Sequence, residues 1–438
     1  MLFKNFKTII DNGQTPEIKK ARKNILDIFT AALNAVDPYN AVKLFLDKQK
    51  IDISDFKDIY LIGFGKASIG MAKATCETFK IKKGIVITNI SNKKLNNNIQ
   101  VFTGGHPLPN KTSIHGAEQS LKLIEKCREN DLLIVLISGG GSALLSKPRI
   151  PLEDLKKITN LLLKSGADIK EINTIRKHLS FVKGGQLIKN VKCQVISLII
   201  SDIIGDPIEF IASGPTYPDS TTFSDAEKIL KKYDLWKKIP FSARKIIEDG
   251  EKGLIPETPK QDDVVFDRVD NFVIANNKIA CENAEKKAKK LGYKTLFLTS
   301  ALDGEAKNVG RYLIEKAKNH LINEETVFIS GGETTVTIKG NGRGGRNQEM
   351  ILGAIETLSD ENMVFSSFAT DGVDGTSDAA GAIADGFSYK RAIKKNLDPE
   401  KYLKSNDSYE FFKKTGDLLI TGPTGTNVMD IQIILKLR

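Results

Sequence analysis

Short apolar runs of four to eight residues alternate along the chain with amphipathic stretches of a dozen or more. This is the rhythm of strand, helix, strand units around a mostly parallel sheet. In the first half, residues 59–62, 84–88, 132–137 and 194–200 are the clearest predicted strands, and helical spacing falls over 67–79, 113–126 and 152–163. The stretch IIEDGEKGLIPETPKQDDVV, residues 246–265, turns polar and carries two prolines, the composition of a connector. Beyond it the rhythm resumes, with a strand at 271–275, a helix through 290, a strand at 294–299 and a helix ending near 318. The pattern predicts an α/β chain of two domains, residues 1–250 and 265–438. One short phrase recurs, IVLISGGGSALL in the first half and VFISGGETTVTI in the second, so two strands end in similar glycine turns.

The length of 438 residues fits two or three domains. With 40% hydrophobic and 27% charged residues, the composition excludes a disordered, collagenous or disulfide-scaffold chain. No apolar run approaches the ~20 residues of a membrane helix, and the N-terminus does not read as a secretory signal. A cytoplasmic location is expected, with no membrane partner. The four cysteines stand singly without C-x-x-C spacing, and the four histidines form no H-E-x-x-H cluster, so reduced thiols and no His-ligated transition metal are expected. Net charge is +11, but aromatics are only 7% and the lysines are diffuse, which argues against nucleic acid as the partner. Only 11 of the 65 basic residues are Arg, so the arginines are the informative cations.

In open parallel sheets ligands bind beyond the carboxyl ends of strands. Here the predicted strands lead into GFGKAS, SGGGSALL, SDIIGD, SGGETT and ATDGVDGTSD, so every exit is glycine-rich, hydroxylated or acidic. Glycine turns let backbone N–H groups converge on an anion, and a following helix adds its positive dipole end. Gly139, Gly140, Gly141 and Ser142 are thus candidates for holding phosphates, as are Gly331, Gly332 and Glu333. A tight strand-to-helix connection would use the same glycines. Lys66, at the mouth of the sheet, is either a phosphoryl cation or an ordinary helix-start lysine.

Asp202 and Asp206, four residues apart past an apolar strand, can place two carboxylates in one cleft, one for Mg²⁺ and one toward a hydroxyl proton. Turn-capping aspartates have the same spacing. Asp371, with Asp374 and Asp378, forms a second acidic turn and a second candidate Mg²⁺ ligand. Gly340, Gly342 and Gly345 spell G-x-G-x-x-G, the pattern of a dinucleotide turn, but Arg343 within it and Arg346 directly after it read as anion clamps. Arg176 and Lys183 fall near one helical face, and His106 precedes a proline in a rigid loop. These three are candidate substrate contacts.

Taken in order, GFGKAS, TGGHPLPN, ISGGGSALL, NTIRKHLSFVKGGQL, SDIIGDP with IASGPTYPD, ISGGETTV, GRGGRNQE and ATDGVDGTSDAAGAI resemble the class II glycerate 2-kinases, whose C-terminal part is the MOFRL domain. The resemblance runs from about residue 63 to 381. It implies two domains, each a three-layer α/β/α sandwich with a mostly parallel sheet, and an active site in the cleft between them. It also implies ATP-dependent phosphorylation of D-glycerate on the 2-hydroxyl. In the family the Lys of G-K-A and the Arg of G-G-R-N are the proposed catalytic cations, which carry over to Lys66 and Arg346. The acidic segment near substrate carries over to Asp202 and Asp206. Members often labelled hydroxypyruvate reductases make an NAD(P)H-dependent reductase the rival reading. ATP and Mg²⁺ are the expected cofactors, and a monomer or homodimer the expected assembly.

Overall fold

The structure, a computed structural model, describes residues 2–49 and 53–438. It divides into an inserted unit, Pro38–Ile274, and a terminal unit made of the chain up to Asp37 together with Ala275–Arg438. The expected division at 250–265 is therefore corrected twice. Residues 246–251, the start of the expected connector, belong to a helix, Phe241–Glu251, and the second unit takes in the N-terminal segment.

The physical reason lies in the helix Pro16–Ala35. Thr15 caps it, accepting from the Ile18 N–H at 3.3 Å, and Pro16 occupies the first turn, where its missing N–H costs nothing. Ile18, Ala21, Ile25, Phe29 and Ala32 form a buried stripe at helical spacing, and Phe29 packs against Phe368 with ring centroids 5.1 Å apart. Arg22, on the same helix, is wholly buried. Its Nε donates to Asp385 Oδ2 at 2.6 Å and its Nη1 to Asp417 Oδ1 at 2.8 Å.

The inserted unit is built on a six-stranded sheet of β1 (Ile59–Phe64), β2 (Ile81–Thr88), β3 (Ile99–Thr103), β4 (Leu132–Ile137), β5 (Gln194–Ile200) and β6 (Val269–Ala275). The order is β3-β2-β1-β4-β5-β6, and the pairs from β3 to β5 are parallel. Strands β1 and β4 are buried on both faces, as expected where helices cover a parallel sheet on either side. This is the doubly wound order, whose direction of winding reverses between β1 and β4.

The second sheet holds β7 (Lys294–Leu302), β8 (Thr326–Gly332), β9 (Met363–Ala369), β10 (Gly381–Asp385), β11 (Leu418–Leu419) and β12 (Asp430–Lys436), in the order β11-β10-β9-β12-β8-β7. Only β7 and β8 pair in parallel; the other four pairs are antiparallel, against the expectation of a mostly parallel sheet. Two of the four come from the C-terminal strand, which inserts between β8 and β9 and runs against both, and the other two from β10, which runs against β9 and β11. No βα rhythm precedes the C-terminal strand to announce its direction. Phe365 faces a core with Met350, Ile351 and Phe412, while Phe368 on the opposite face meets Phe3 and Phe29, so helices cover both sides.

Candidate functional site

The switch point between β1 and β4 brings two glycine turns side by side. Phe64 pairs with Ile137 at the last rung, and the chain then runs into Gly65-Lys66-Ala67 on one strand and Ser138-Gly139-Gly140-Gly141 on the other. The Lys66 N–H donates to Gly139 O at 2.9 Å, and the Ala67 N–H to Ser138 Oγ at 3.1 Å. Gly140 lies at φ +79, a left-handed conformation that favours glycine; a Cβ there would stand 2.9 Å from His106 Cδ2 and 3.4 Å from Lys66 Cγ. A Cβ on Gly139 would come within 2.2 Å of Asp202 Oδ2. Lys66, His106 and Asp202 therefore lie against the same two glycines, and the approaches of His106 and Asp202 do not survive a larger residue.

The turn is braced from behind. Ser142 Oγ is 2.8 Å from Ser213 Oγ, which donates in turn to Asn173 Oδ1 at 3.1 Å. Ala212, Ser213 and Gly214 all lie at positive φ, three consecutive residues in a region that non-glycine residues rarely occupy. Such strain persists where the surrounding contacts over-determine it. The helix after the glycines is a single turn, Gly141–Leu144, so the dipole of a long helix expected there is missing. Positive charge at the turn comes chiefly from Lys66.

A cavity of about 230 Å³ opens beside Gly140 and Ser142, lined by His106, Arg176 and Lys183 among others. Arg176 lies in the last turn of the helix Ile169–His178 and Lys183 beyond its end, so the two do not share one helical face as expected; the turn after the helix brings them to the same cavity. Lys183 Nζ donates to the carbonyls of Ser142 and Leu145, at 2.6 and 3.3 Å. Burial, and then the neighbouring Arg176, push its pKa down to about 7, and burial alone lowers that of Arg176. Burial and Lys66 likewise lower His106. An anion entering this cavity would offset the cost of two desolvated cations. Asp206, by contrast, sits at φ +53 in the next turn, its N–H donating to Ile203 O at 3.2 Å.

In the terminal unit Arg346 opens the helix Arg346–Ala354. Its Nε and Nη2 grip Asp430 at 2.5 and 3.0 Å, and Nη1 reaches Glu333 at 2.7 Å. These carboxylates raise the guanidinium pKa despite its burial, while burial pushes Asp430 up to about 6. Asp374 is buried beneath the start of this helix and accepts from the N–H groups of Asn347 and Gln348, at 3.1 and 2.9 Å. That aspartate thus caps a helix. Asp371 Oδ1 accepts from the Val373 N–H at 3.0 Å, the geometry of an Asx turn.

Two sequence expectations change here, the glycine turn at Gly331 and Gly332 and the placement of the G-x-G-x-x-G run directly after a strand. Gly331 and Gly332 do not form a turn; they lie inside β8, paired with Ile431 and Asp430. A Cβ at Gly331 would strike Asn277 Oδ1 at 2.0 Å, so helix packing accounts for that glycine, and only Glu333 reaches the arginine. Arg343 is engaged, donating to Thr376 O at 3.1 Å and stacking 4.1 Å over the Tyr409 ring. The G-x-G-x-x-G run does not follow directly on a strand, for β8 ends at Gly332, and Gly340 and Gly342 pack against Ser405 and Asp407. A dinucleotide turn would leave those glycine faces open.

Asp430, Ser213 and Asn173 were not legible as site residues. Asp430 is a single acid at the start of an apolar strand, and only the pairing of β12 with β8 and β9 brings it near Arg346. Among the described residues no group of three or more His, Cys, Asp or Glu side chains could hold a metal. No helix among them is long and apolar enough to cross a membrane.

Glycine turns with a lysine at the switch point of a doubly wound sheet are the arrangement with which α/β proteins hold phosphorylated ligands. Residues 24–248 match a domain of unknown function, DUF4147, and residues 326–430 match the MOFRL family. The chain is 46% identical to a glycerate 2-kinase of Pyrococcus horikoshii over 92% of its own length and 94% of the relative's. It is 40% identical to a D-glycerate 2-kinase of Thermotoga maritima, over 94% and 97% of the two chains. A crystal structure of a glycerate kinase from Thermotoga maritima superposes with a TM-score of 0.87 at 40% identity, covering 95% of this chain and 99% of that one. This chain belongs to the glycerate kinase family that joins a DUF4147 domain to a MOFRL domain.

Proposed function

We propose that this protein transfers the γ-phosphoryl group of ATP to the 2-hydroxyl of D-glycerate, giving 2-phosphoglycerate and ADP. Family membership supports the reaction, and one observation carries it to named residues: Lys66, His106 and Asp202 converge on Gly139 and Gly140 at the switch point. In phosphoryl transfer the hydroxyl oxygen bonds to the γ-phosphorus, the bond from phosphorus to the ADP oxygen breaks, and the hydroxyl proton leaves to a base. Lys66 and Arg346 are the proposed cations over the transferring group. Asp202, beside the glycine turn, and Asp206 are the proposed carboxylates for the hydroxyl.

Arg176, Lys183 and His106 line a cavity suited to a small carboxylate, and we assign glycerate to it. Mg²⁺ usually takes one or two protein carboxylates and completes its shell with phosphate oxygens and water. The absence of a preformed acidic cage among the described residues fits a metal that arrives with the nucleotide. Asp202 and Asp371 are the candidate protein ligands, and the metal would neutralise the nucleotide phosphates. The protein is proposed to act in the cytoplasm as a monomer or homodimer, on small molecules alone.

A coupled assay with enolase tests the reading. Signal from ATP, Mg²⁺ and D-glycerate with enolase alone is expected; signal that requires added phosphoglycerate mutase would show 3-phosphorylation and contradict it.

A further inference from the structure

The terminal unit contains a second cavity of about 480 Å³, within the range of roughly 300–1,000 Å³ typical of organic-ligand sites. Its chemistry is the reverse of the cationic one in the inserted unit. Arg346 stands at one end, already gripped by Asp430 and Glu333. Glu349 lies three residues further along the same helix, one turn away and on the same face. The side walls are Val336 and Ile338 together with the glycine-rich backbone of residues 342–345. Ile338 is 78% exposed, a large apolar side chain left at the rim.

Two residues that line this cavity, Glu349 and Thr334, each carry a buried polar atom with no partner within the protein. Glu349 is 2% exposed; its Oε2 accepts from Asn406 Nδ2 at 3.0 Å, but its Oε1 makes no hydrogen bond. Thr334, also 2% exposed, leaves its Oγ1 unpaired. An orphaned buried oxygen is costly, and one that persists beside a cavity calls for an explanation, which a bound group completing its hydrogen bonds would supply. An unpaired carboxylate oxygen calls for a hydrogen-bond donor, and a threonine hydroxyl of the same lining can meet an acceptor. The apolar and glycine walls suit a flat ring rather than a small charged acid. A nucleobase that carries an exocyclic amino group and ring nitrogens satisfies all three demands.

We infer that this cavity seats the nucleoside of the phosphoryl donor, with Glu349 accepting from the amino group of the base. The inference rests on the kinase reading for its donor, and it makes Glu349 a specificity residue for adenine over bases with a carbonyl in that position. Burial already raises the Glu349 pKa, consistent with a carboxyl that lacks a full set of partners.

The test is calorimetric titration of the full chain with the Mg²⁺ complexes of ATP and GTP, and with pyrophosphate, for the wild type, Glu349→Gln and Val336→Trp. The wild type is expected to bind ATP at least tenfold more tightly than GTP. Glu349→Gln should weaken ATP at least fivefold while GTP holds or improves, because the new amide N–H can meet a base carbonyl. Val336→Trp, which fills the cavity, should weaken both nucleotides at least tenfold and leave pyrophosphate within twofold. ATP affinity within twofold of wild type in both variants would overturn the inference, as would an equal loss of ATP and GTP in Glu349→Gln. Turnover of wild type on D-glycerate is read separately. Nucleotide binding with these shifts but no phosphorylation would sink the kinase reading and leave the nucleoside site standing.

Discussion

The Lys66 N–H donates to the carbonyl of Gly139 at 2.9 Å, tying the turn after β1 to the turn after β4. Through this bond the catalytic lysine proposed here and the proposed phosphate cradle are positioned by each other. Lys66→Ala retains the backbone bond but removes the ammonium. We expect kcat/KM to fall by ~10²–10³, the usual effect of deleting one preorganised charge-stabilising donor. The melting temperature should stay within a few degrees of wild type, since the side chain is only half-buried. Steady-state kinetics with thermal denaturation checks both; a loss of activity that merely tracks a loss of fold would remove Lys66 from the chemistry.

Gly140 gives an independent probe of the same place. Gly140→Ala forces a side chain into a left-handed conformation, at about 1–2 kcal/mol, and against the His106 ring. D-glycerate KM is expected to rise at least fivefold as His106 and the cradle shift, in a protein that still unfolds cooperatively. A wild-type KM would show that the turn only connects strand to helix.

Lys183 predicts a pH dependence. Its folded pKa of about 7 lies below the ~10.4 of the free side chain, so the penalty for burying the ammonium is fully present below pH 7 and is relieved as pH rises toward 10. Relative to Lys183→Met, wild-type stability should therefore rise over that window. In the proposed site glycerate pairs with the charged form, so glycerate KM should climb above about pH 7, by at most tenfold per unit. In Lys183→Met, KM should be higher at neutral pH and flat. Parallel profiles in the two proteins would exclude Lys183 as the carboxylate contact.

Arg22 holds the N-terminal helix on the terminal unit. Arg22→Ala would leave the buried Asp385 and Asp417 to share Arg391 alone, a change expected to cost up to ~3–5 kcal/mol, the usual effect of breaking a buried ion pair. Against the effect of burial, Arg22 and Arg391 hold Asp417 below the usual carboxylate range. Its contribution to stability is therefore present above about pH 4, the unfolded value, and is lost as pH falls through the lower folded one. Urea unfolding across acid pH should show that loss in wild type and a smaller one in the variant.

These residues also show how far the sequence could be read. The glycine turns were visible because each follows a short apolar run, and the doubly wound order then placed GFGKAS beside SGGGS. Gly331 and Gly332 misled because a strand glycine packed against Asn277 has the same spelling as a phosphate turn. Arg346 stood out by the rarity of arginine, but its partner Asp430 lies 84 residues away on a strand whose antiparallel insertion no local pattern specifies. The N-terminal helix announced its amphipathic face, though not what it would cover. Arg22, buried in the middle of that helix, was the cue that went unread.

The most direct test is to incubate the purified protein with ATP, Mg²⁺ and ¹³C-labelled D-glycerate and to follow the product by ³¹P and ¹³C NMR. A phosphorus resonance coupled to the single proton on C2, appearing in step with ADP, is the expected result. Phosphorus coupled to the C3 methylene protons, or no ATP consumption beside NAD(P)H-dependent reduction of hydroxypyruvate, would contradict the account.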